Sequence, residues 1–424
     1  MQPVAEASRI ESLDVLRGFA LLGILLLNIV GFGMYSAAYS SPGFDLLGGS
    51  SLDLGVWVSV ELLAEGAMRC LFSMLFGAGV LLFTTGEYGK TGALHYKRTF
   101  WLLAFGLFDA YVLLWNGDIL VTYALAGAVL YLVRNVSASR LLTVAIVFIV
   151  FMSLFYAATR FGLGQAYQAA QTLAAATDPA SVSEGVKETA AIWHSFAADW
   201  GAGGGGTELE YALRGDGYAT AFWWNADKSN EMLFFVLPLI LFWDAMAMML
   251  LGMALYKYGI LQGDRAPVFY LKLMLAGFSV GLLVNGFEVS NAISNDFDMF
   301  STFAQIQPTY HIGRLGMACG YMGLLLLVVQ KGIWPMLRRR LAAVGRMALT
   351  NYLSHSIICM FVFTGAGLAL VGSFSRAQLY IVVFAIWVFQ LFFSQWWLER
   401  YRFGPLEWLW RVLTYGERPT NRRS

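Results

Sequence analysis

The sequence predicts an all-α fold, a polytopic integral membrane helical bundle of about ten transmembrane helices with both termini cytoplasmic. Three observations lead there. The 424 residues are 58% hydrophobic and only 13% charged, whereas a soluble domain carries about 25% charge. The mean hydropathy is +0.62, and the apolar residues fall into separate runs of about 20, the length that crosses a bilayer core. Lysines and arginines alternate between crowded and sparse connections, as orientation in a membrane requires.

Taken in order, spans are expected at 13–34, 57–83, 99–116, 118–134, 140–159, 231–256, 267–287, 309–330, 341–364 and 377–398. The third and fourth are short and joined only by Asn116, Gly117 and Asp118, so they read as a tight hairpin. Asp118 reads as the N-cap of the fourth span. The longest connection, 160–230, is expected to be an extracytoplasmic loop between an N-terminal five-helix region, 1–159, and a C-terminal five-helix region, 231–424, with a cytosolic amphipathic tail. Its run of glycines at 201–206 reads as a flexible joint. Its tryptophans, Trp193, Trp200, Trp223 and Trp224, read as an interfacial belt.

Ten spans put both termini on one side. Of 28 basic residues, 21 fall on the termini's side, 5 on the other, and Arg69 and Arg314 lie inside spans. That bias places both termini in the cytoplasm. A net charge of +1 gives no reason to expect a nucleic-acid partner. Cys70, Cys319 and Cys359 sit in apolar segments, so packing is expected rather than disulfides or zinc. Phosphate-binding glycine loops, zinc patterns and serine-hydrolase elbows are absent from the sequence. No cleavable signal is expected, because the first apolar stretch is too long for one.

Ionisable groups inside spans are costly and mark function. In "ELLAEGAMRCLFSMLFGAG", Glu61, Glu65, Arg69, Ser73 and Gly77 recur every four residues. On an unbroken helix they share one face, with Glu65 and Arg69 free to pair and Glu61 left over for a polar cavity. Asp109 lies in the third span, Asp244 in the sixth and His311 and Arg314 in the eighth. Asn351, Tyr352 and His355 lie in the ninth. His311 and His355 could serve as bases, or as hydrogen-bonding groups between helices. His95 is expected to be solvated in a cytosolic connection, and His194 lies in the outer loop.

Two stretches carry a resemblance. "RIESLDVLRGFALLGILLLN" is similar to the first helix of the YeiB-like bacterial membrane proteins, and "RCLFSMLFGAGV" fits the same family. "GRMALTNYLSHSIICMFVFTGAGL", followed by "FSQWWLERYRFGPLEWLWRVLTYGERP", resembles their C-terminal domain of unknown function. That family in turn is similar to transmembrane acyltransferases, among them heparan-α-glucosaminide N-acetyltransferase and, more distantly, the OafA-like enzymes. Their motif is matched by Arg9, Leu13, Asp14, Leu16, Arg17 and Gly18. Where the OafA-like enzymes place a functional His, fourteen residues after the Asp, this chain has Asn28, as the heparan enzyme does. The heparan enzyme's catalytic His lies in the next outer loop; here 34–56 offers only Tyr35, Tyr39, Asp45 and Asp53.

The resemblance implies transfer of an acyl group, acetyl first, from cytosolic acyl-CoA to an extracytoplasmic or lipid-linked acceptor. The expected catalytic set is Asn28, His355, His311, Glu61 and Glu65. Asp14, Arg17, Arg69, Asp244, Arg314, Asn351 and Tyr352 are expected to bind substrate, and no metal is expected. Expected partners are membrane lipid and a small-molecule, glycan or lipid acceptor, with a homodimer left open. Midplane charges and ten spans equally suit a secondary transporter of a small polar or amphiphilic molecule.

Overall fold

The computed structural model describes residues 10–40, 42–47, 49–85, 91–200 and 206–423. Arg9 of the motif, Lys90 and glycines of the run at 201–205 lie outside the described residues. Among the described residues, sixteen α-helices of ten or more residues account for most of the structure. In order they are α1 Glu11–Gly33, α2 Ser51–Leu63, α3 Ala67–Thr84, α4 Gly92–Leu107, α5 Leu120–Leu130, α6 Ala138–Ala175, α7 Glu184–Trp200 and α8 Gly206–Gly215. Then come α9 Tyr218–Glu231, α10 Phe242–Lys257, α11 Pro267–Ser294, α12 Tyr310–Gln330, α13 Pro335–Arg346, α14 Ala348–Phe363, α15 Arg376–Arg400 and α16 Pro405–Tyr415. Among the described residues the one β feature is an isolated bridge between Tyr401 and Arg422.

Among the described residues, seven stretches are long and apolar enough to cross a membrane: α1, 51–84, α6, 218–257, α11, α12 and α15. This is the architecture of a multi-pass membrane protein. The other three expected spans correspond to shorter elements. α4 is extended by a π-helical turn, Phe108–Val112; α5 has 11 residues; α14 has 16. The span expected at 341–364 is divided at Met347. Its first part belongs to α13, whose four arginines make it amphipathic rather than membrane-spanning.

The connection at 160–230 is mostly helical, which corrects the expected loop. α6 runs 38 residues, straight past the expected boundary at 159. α9 continues through a π-helical stretch, Met232–Leu241, into α10, so the boundary at 230 also falls within a helix. Pro238 lies in that stretch, where its missing N–H and bulky ring disfavour regular α pairing. Trp193 is buried with Ala166, Ala170, Ala190 and Met299. Trp224 lies under the Arg214 guanidinium, 5.0 Å from its ring centre, while Trp223 is exposed. α7 and α8 are too short and too polar to register as spans, yet apolar residues of α7 pack against α6.

α1 is the central post. Val15, Leu16, Ala20, Leu21, Leu25 and Ile29 are fully buried. Gly18 of the motif has a packing reason, because a Cβ there would lie 2.0 Å from the Leu341 carbonyl of α13. Gly345 answers from α13, where a Cβ would meet the Asp14 carbonyl at 2.0 Å. At the far end of α1, Arg214 from α8 donates to the carbonyls of Gly31 at 3.0 Å, Phe32 at 2.5 Å and Met34 at 2.7 Å. These are the carbonyls that a helix end leaves without partners. Glu210 holds the same guanidinium at 3.0 Å and accepts from Ser36 N at 2.9 Å.

Candidate functional site

Two polar regions lie toward the two ends of α3. The first begins where the span 51–84 is interrupted between α2 and α3. Gly66 takes φ +62, a conformation that side chains rarely adopt, and a Cβ there would meet the Tyr310 hydroxyl at 2.7 Å. Asn285 donates to the Leu62 carbonyl at 3.1 Å and Tyr321 to that of Leu63 at 2.9 Å, so α2's exposed end is satisfied by side chains. The four-residue spacing therefore does not carry across. Glu61 belongs to α2, Glu65 to the turn, and Arg69 and Ser73 to α3.

The turn gathers the charges by another route. Arg69 donates to the Tyr310 hydroxyl at 3.0 Å, and that hydroxyl donates to Glu65 at 3.2 Å. Tyr310 thus stands between the two residues expected to pair directly. Tyr39 also donates to Glu65, at 3.0 Å. Arg314 grips Asp244 with two hydrogen bonds, one of 2.9 Å, and contacts His311 Nδ1 at 2.6 Å. Arg69 approaches Asp244 to 3.7 Å. His311 stacks on Tyr156 with centroids 4.9 Å apart. Beside this cluster Glu61, Glu65, Asn285, Glu288, Tyr310 and Arg314 line a cavity of only about 30 Å³. That is room for about one water. Thr309 donates to Glu288 at its rim.

The second region is a pocket of about 350 Å³ bounded by α1, α3, α4, α14 and α16. That volume lies in the range of ligand sites. Its mouth carries Arg17, Arg98, Arg346, Arg402 and Arg411 against Asp14 and Glu407. Its interior is lined by Phe72, Leu75, Phe76, Leu102 and Leu120. From Phe83 to Phe72 it follows α3 for roughly 16 Å. Arg98 lies between two aromatic rings, 4.5 Å from Phe83 and 4.3 Å from Trp410. Burial and the neighbouring Arg411 pull its pKa down to about 10. Arg17 pairs with Asp14 at 3.1 Å.

The pocket ends on two hydroxyls. Tyr123 shares a 2.5 Å hydrogen bond with Ser73, which lies one turn of α3 from Arg69. Tyr352 accepts from Ile119 N at 3.1 Å and donates to Asp118 at 3.4 Å. Asp118 accepts from Val121 N at 2.8 Å, as an N-cap should. The fully buried Asp109 lies next to it.

Several expected residues lie elsewhere. Asn28 is half-buried on α1 and lines neither cavity, so it does not join Glu61 and Glu65. His355 is buried at 3.0 Å from Gln390 Oε1, in a network where Asn351 donates to Ser394 at 2.9 Å. This network also stands apart from both cavities. His95 is buried rather than solvated, 2.9 Å from the Gly127 carbonyl. Asp45 is held by Arg376 at 2.7 and 2.8 Å, and Asp53 caps α2 and accepts from Ala377 N, so both act as clamps. Tyr310, Tyr123 and Trp410 are not singled out as site residues by sequence, and Arg98 is one of several cytosolic cations that could meet CoA phosphates. An aromatic in an apolar run carries no distinguishing mark, and Arg98 is already explained by orientation.

Residues 255–417 match a family described as a protein of unknown function, DUF418. The chain is 31% identical over 412 residues to the uncharacterized protein YeiB of Escherichia coli (strain K12), covering 95% of each. It is 30% identical over 436 residues to the uncharacterized protein YxaH of Bacillus subtilis (strain 168), covering 98% of this chain and 96% of that one. No solved structure matches the chain. Similarity at this level over nearly the whole length means that the chain belongs to the YeiB/YxaH-like family, with the DUF418 domain in its C-terminal half.

Proposed function

We propose that the protein is a membrane acyltransferase that takes an acyl group, acetyl in the first instance, from cytosolic acyl-CoA held in the larger pocket. The observation that carries this reading is the pocket's division of labour. Five arginines at the mouth suit the phosphates of a nucleotide, since guanidinium forks bind phosphate two bonds at a time. The apolar interior suits a narrow pantetheine arm and a short acyl chain. The nucleotide would rest at the mouth, because 350 Å³ is too small for the whole donor.

The acyl carbonyl would then lie near the Tyr123 hydroxyl, which can donate to the oxygen as it gains charge while Ser73 donates to Tyr123. The acceptor, a glycan, lipid-linked or small-molecule hydroxyl or amine, attacks the thioester carbon. Its proton passes to Asp118 through Tyr352. The C–S bond breaks, and the CoA thiolate recovers that proton as the acyl product leaves.

Calorimetry of purified protein with CoA and acetyl-CoA tests this. Micromolar or tighter binding that Arg98→Gln weakens is expected, and absence of binding to wild type in any acyl form ends the proposal. A second reading, a secondary transporter, draws on the helix broken at Gly66 beside buried charges, a feature of transporter sites. Flux into vesicles with no covalent change to the substrate would select it.

A further inference from the structure

α13 and α15 meet where arginines and aromatic rings alternate. Arg340 of α13 lies flat over Phe392 of α15, 4.1 Å from the ring centre, and donates to Gln395 at 3.3 Å. Gln395 donates onward to Glu399 at 3.1 Å. Arg400 lies 4.6 Å over Trp396 and donates to that residue's carbonyl at 2.9 Å. Two guanidinium groups are thus fixed along one strip, with Glu399 as the carboxylate between them, 3.9 Å from Arg400. Phe392 and Trp396 remain 55% and 47% exposed.

Such a strip belongs neither to water nor to the bilayer centre. Exposed rings favour lipid, while guanidinium groups reach for the headgroups, and both are satisfied at the membrane interface. The segment entering α13 behaves alike, since Trp334 is 63% exposed and is followed within a few residues by arginines. What an interface offers two fixed guanidinium groups is phosphate, and planar forks bind it in pairs of hydrogen bonds. A choline headgroup adds a cation that this positively charged strip disfavours, whereas an anionic headgroup does not.

We propose that this strip is a binding site for one anionic phospholipid, with its phosphate at Arg340 and Arg400 and its acyl chains along Phe392 and Trp396. The site is separate from the larger pocket and stands whether or not the acyltransferase reading does. Native mass spectrometry of the purified full chain, titrated with dioleoyl phosphatidylglycerol or dioleoyl phosphatidylcholine, tests it. The wild type is expected to take up the anionic lipid first. Arg340→Gln with Arg400→Gln should weaken that uptake about thirtyfold and leave the zwitterionic lipid unaffected. Equal uptake of the two lipids by the wild type, or a preference kept by the double variant, overturns the proposal. A readout on wild type alone guards against misfolding of the variant. Phosphatidylglycerol should raise Tm while inorganic phosphate at the same concentration should not, and equal shifts would reveal a plain anion effect instead of a lipid site.

Discussion

The two ends of α3 hold charge in opposite ways. Around Asp244, Arg314, Arg69 and Glu65 each charge meets a partner, and the space left is about that of one water. At the mouth of the larger pocket, five arginines face two carboxylates across an open cavity. The first arrangement is complete as it stands. The second surrounds a space large enough to admit a ligand. Buried charge inside a membrane protein is therefore not one signal but two, and what separates them is whether the charges close on one another or line an open cavity.

The sharpest way to break the contrast is to remove one member of the complete set. Arg314→Leu strands Asp244, and such a deletion costs about 3–5 kcal/mol. Thermal unfolding in detergent should show it, with the combined variant Arg314→Leu, Asp244→Leu milder than the single. If the single change is neutral, the cluster is not the closed network described. Arg98→Gln should do the reverse, because it relieves crowding among like charges. It should leave Tm unchanged or higher while CoA affinity falls about 10- to 100-fold, the range for losing a charge-assisted hydrogen bond. A large fall in stability would mean Arg98 serves the fold and not an anion.

Gly345→Ala probes the wall that α1 and α13 share behind Arg17 and Asp14. The added Cβ meets the Asp14 carbonyl, and overpacking of this kind costs about 1–3 kcal/mol. Denaturant unfolding should detect that, and CoA affinity should fall with it as Arg17 shifts. The smallest effect is expected at Glu407 on α16. Burial raises its pKa above the ordinary 4.5 despite two hydrogen bonds from Thr350. A carboxyl with a raised folded pKa favours the fold most below its unfolded pKa and loses that contribution as pH climbs through the folded value. From about pH 4.5 upward, wild type should therefore lose stability relative to Glu407→Gln. Parallel pH–Tm curves for the two proteins would remove Glu407 from the account.

Much of this was legible beforehand. Length, hydropathy and the recurring apolar runs announce the bundle, and Asp14 with Arg17 do sit together at the rim of a cavity. Gly66 shows why the rest was not. A period of four implies one face only while the helix continues, and a single positive-φ residue resets the phase without leaving a mark in the spacing. The segment 160–230 failed differently. Helices that pack outside a bilayer need only one apolar face, so their average hydropathy resembles that of a loop. Tyr310 was hidden for a third reason, since its hydroxyl matters only through neighbours 240 and more residues away in sequence.

The clasp that Arg214 forms on the end of α1 has a consequence for how the chain is made. The Met34 carbonyl is satisfied by a side chain 180 residues further along. At a synthesis rate of about 5–20 residues per second, α1 waits roughly 10–40 s for that partner to be made. Throughout that interval the terminal carbonyls of the helix around which the bundle is built must be hydrated or held by lipid headgroups or an insertion chaperone. The central post precedes the other described helices in the chain, yet its end is finished only once α8 is made, so the newborn protein passes through a stage with its axis in place and its end still open.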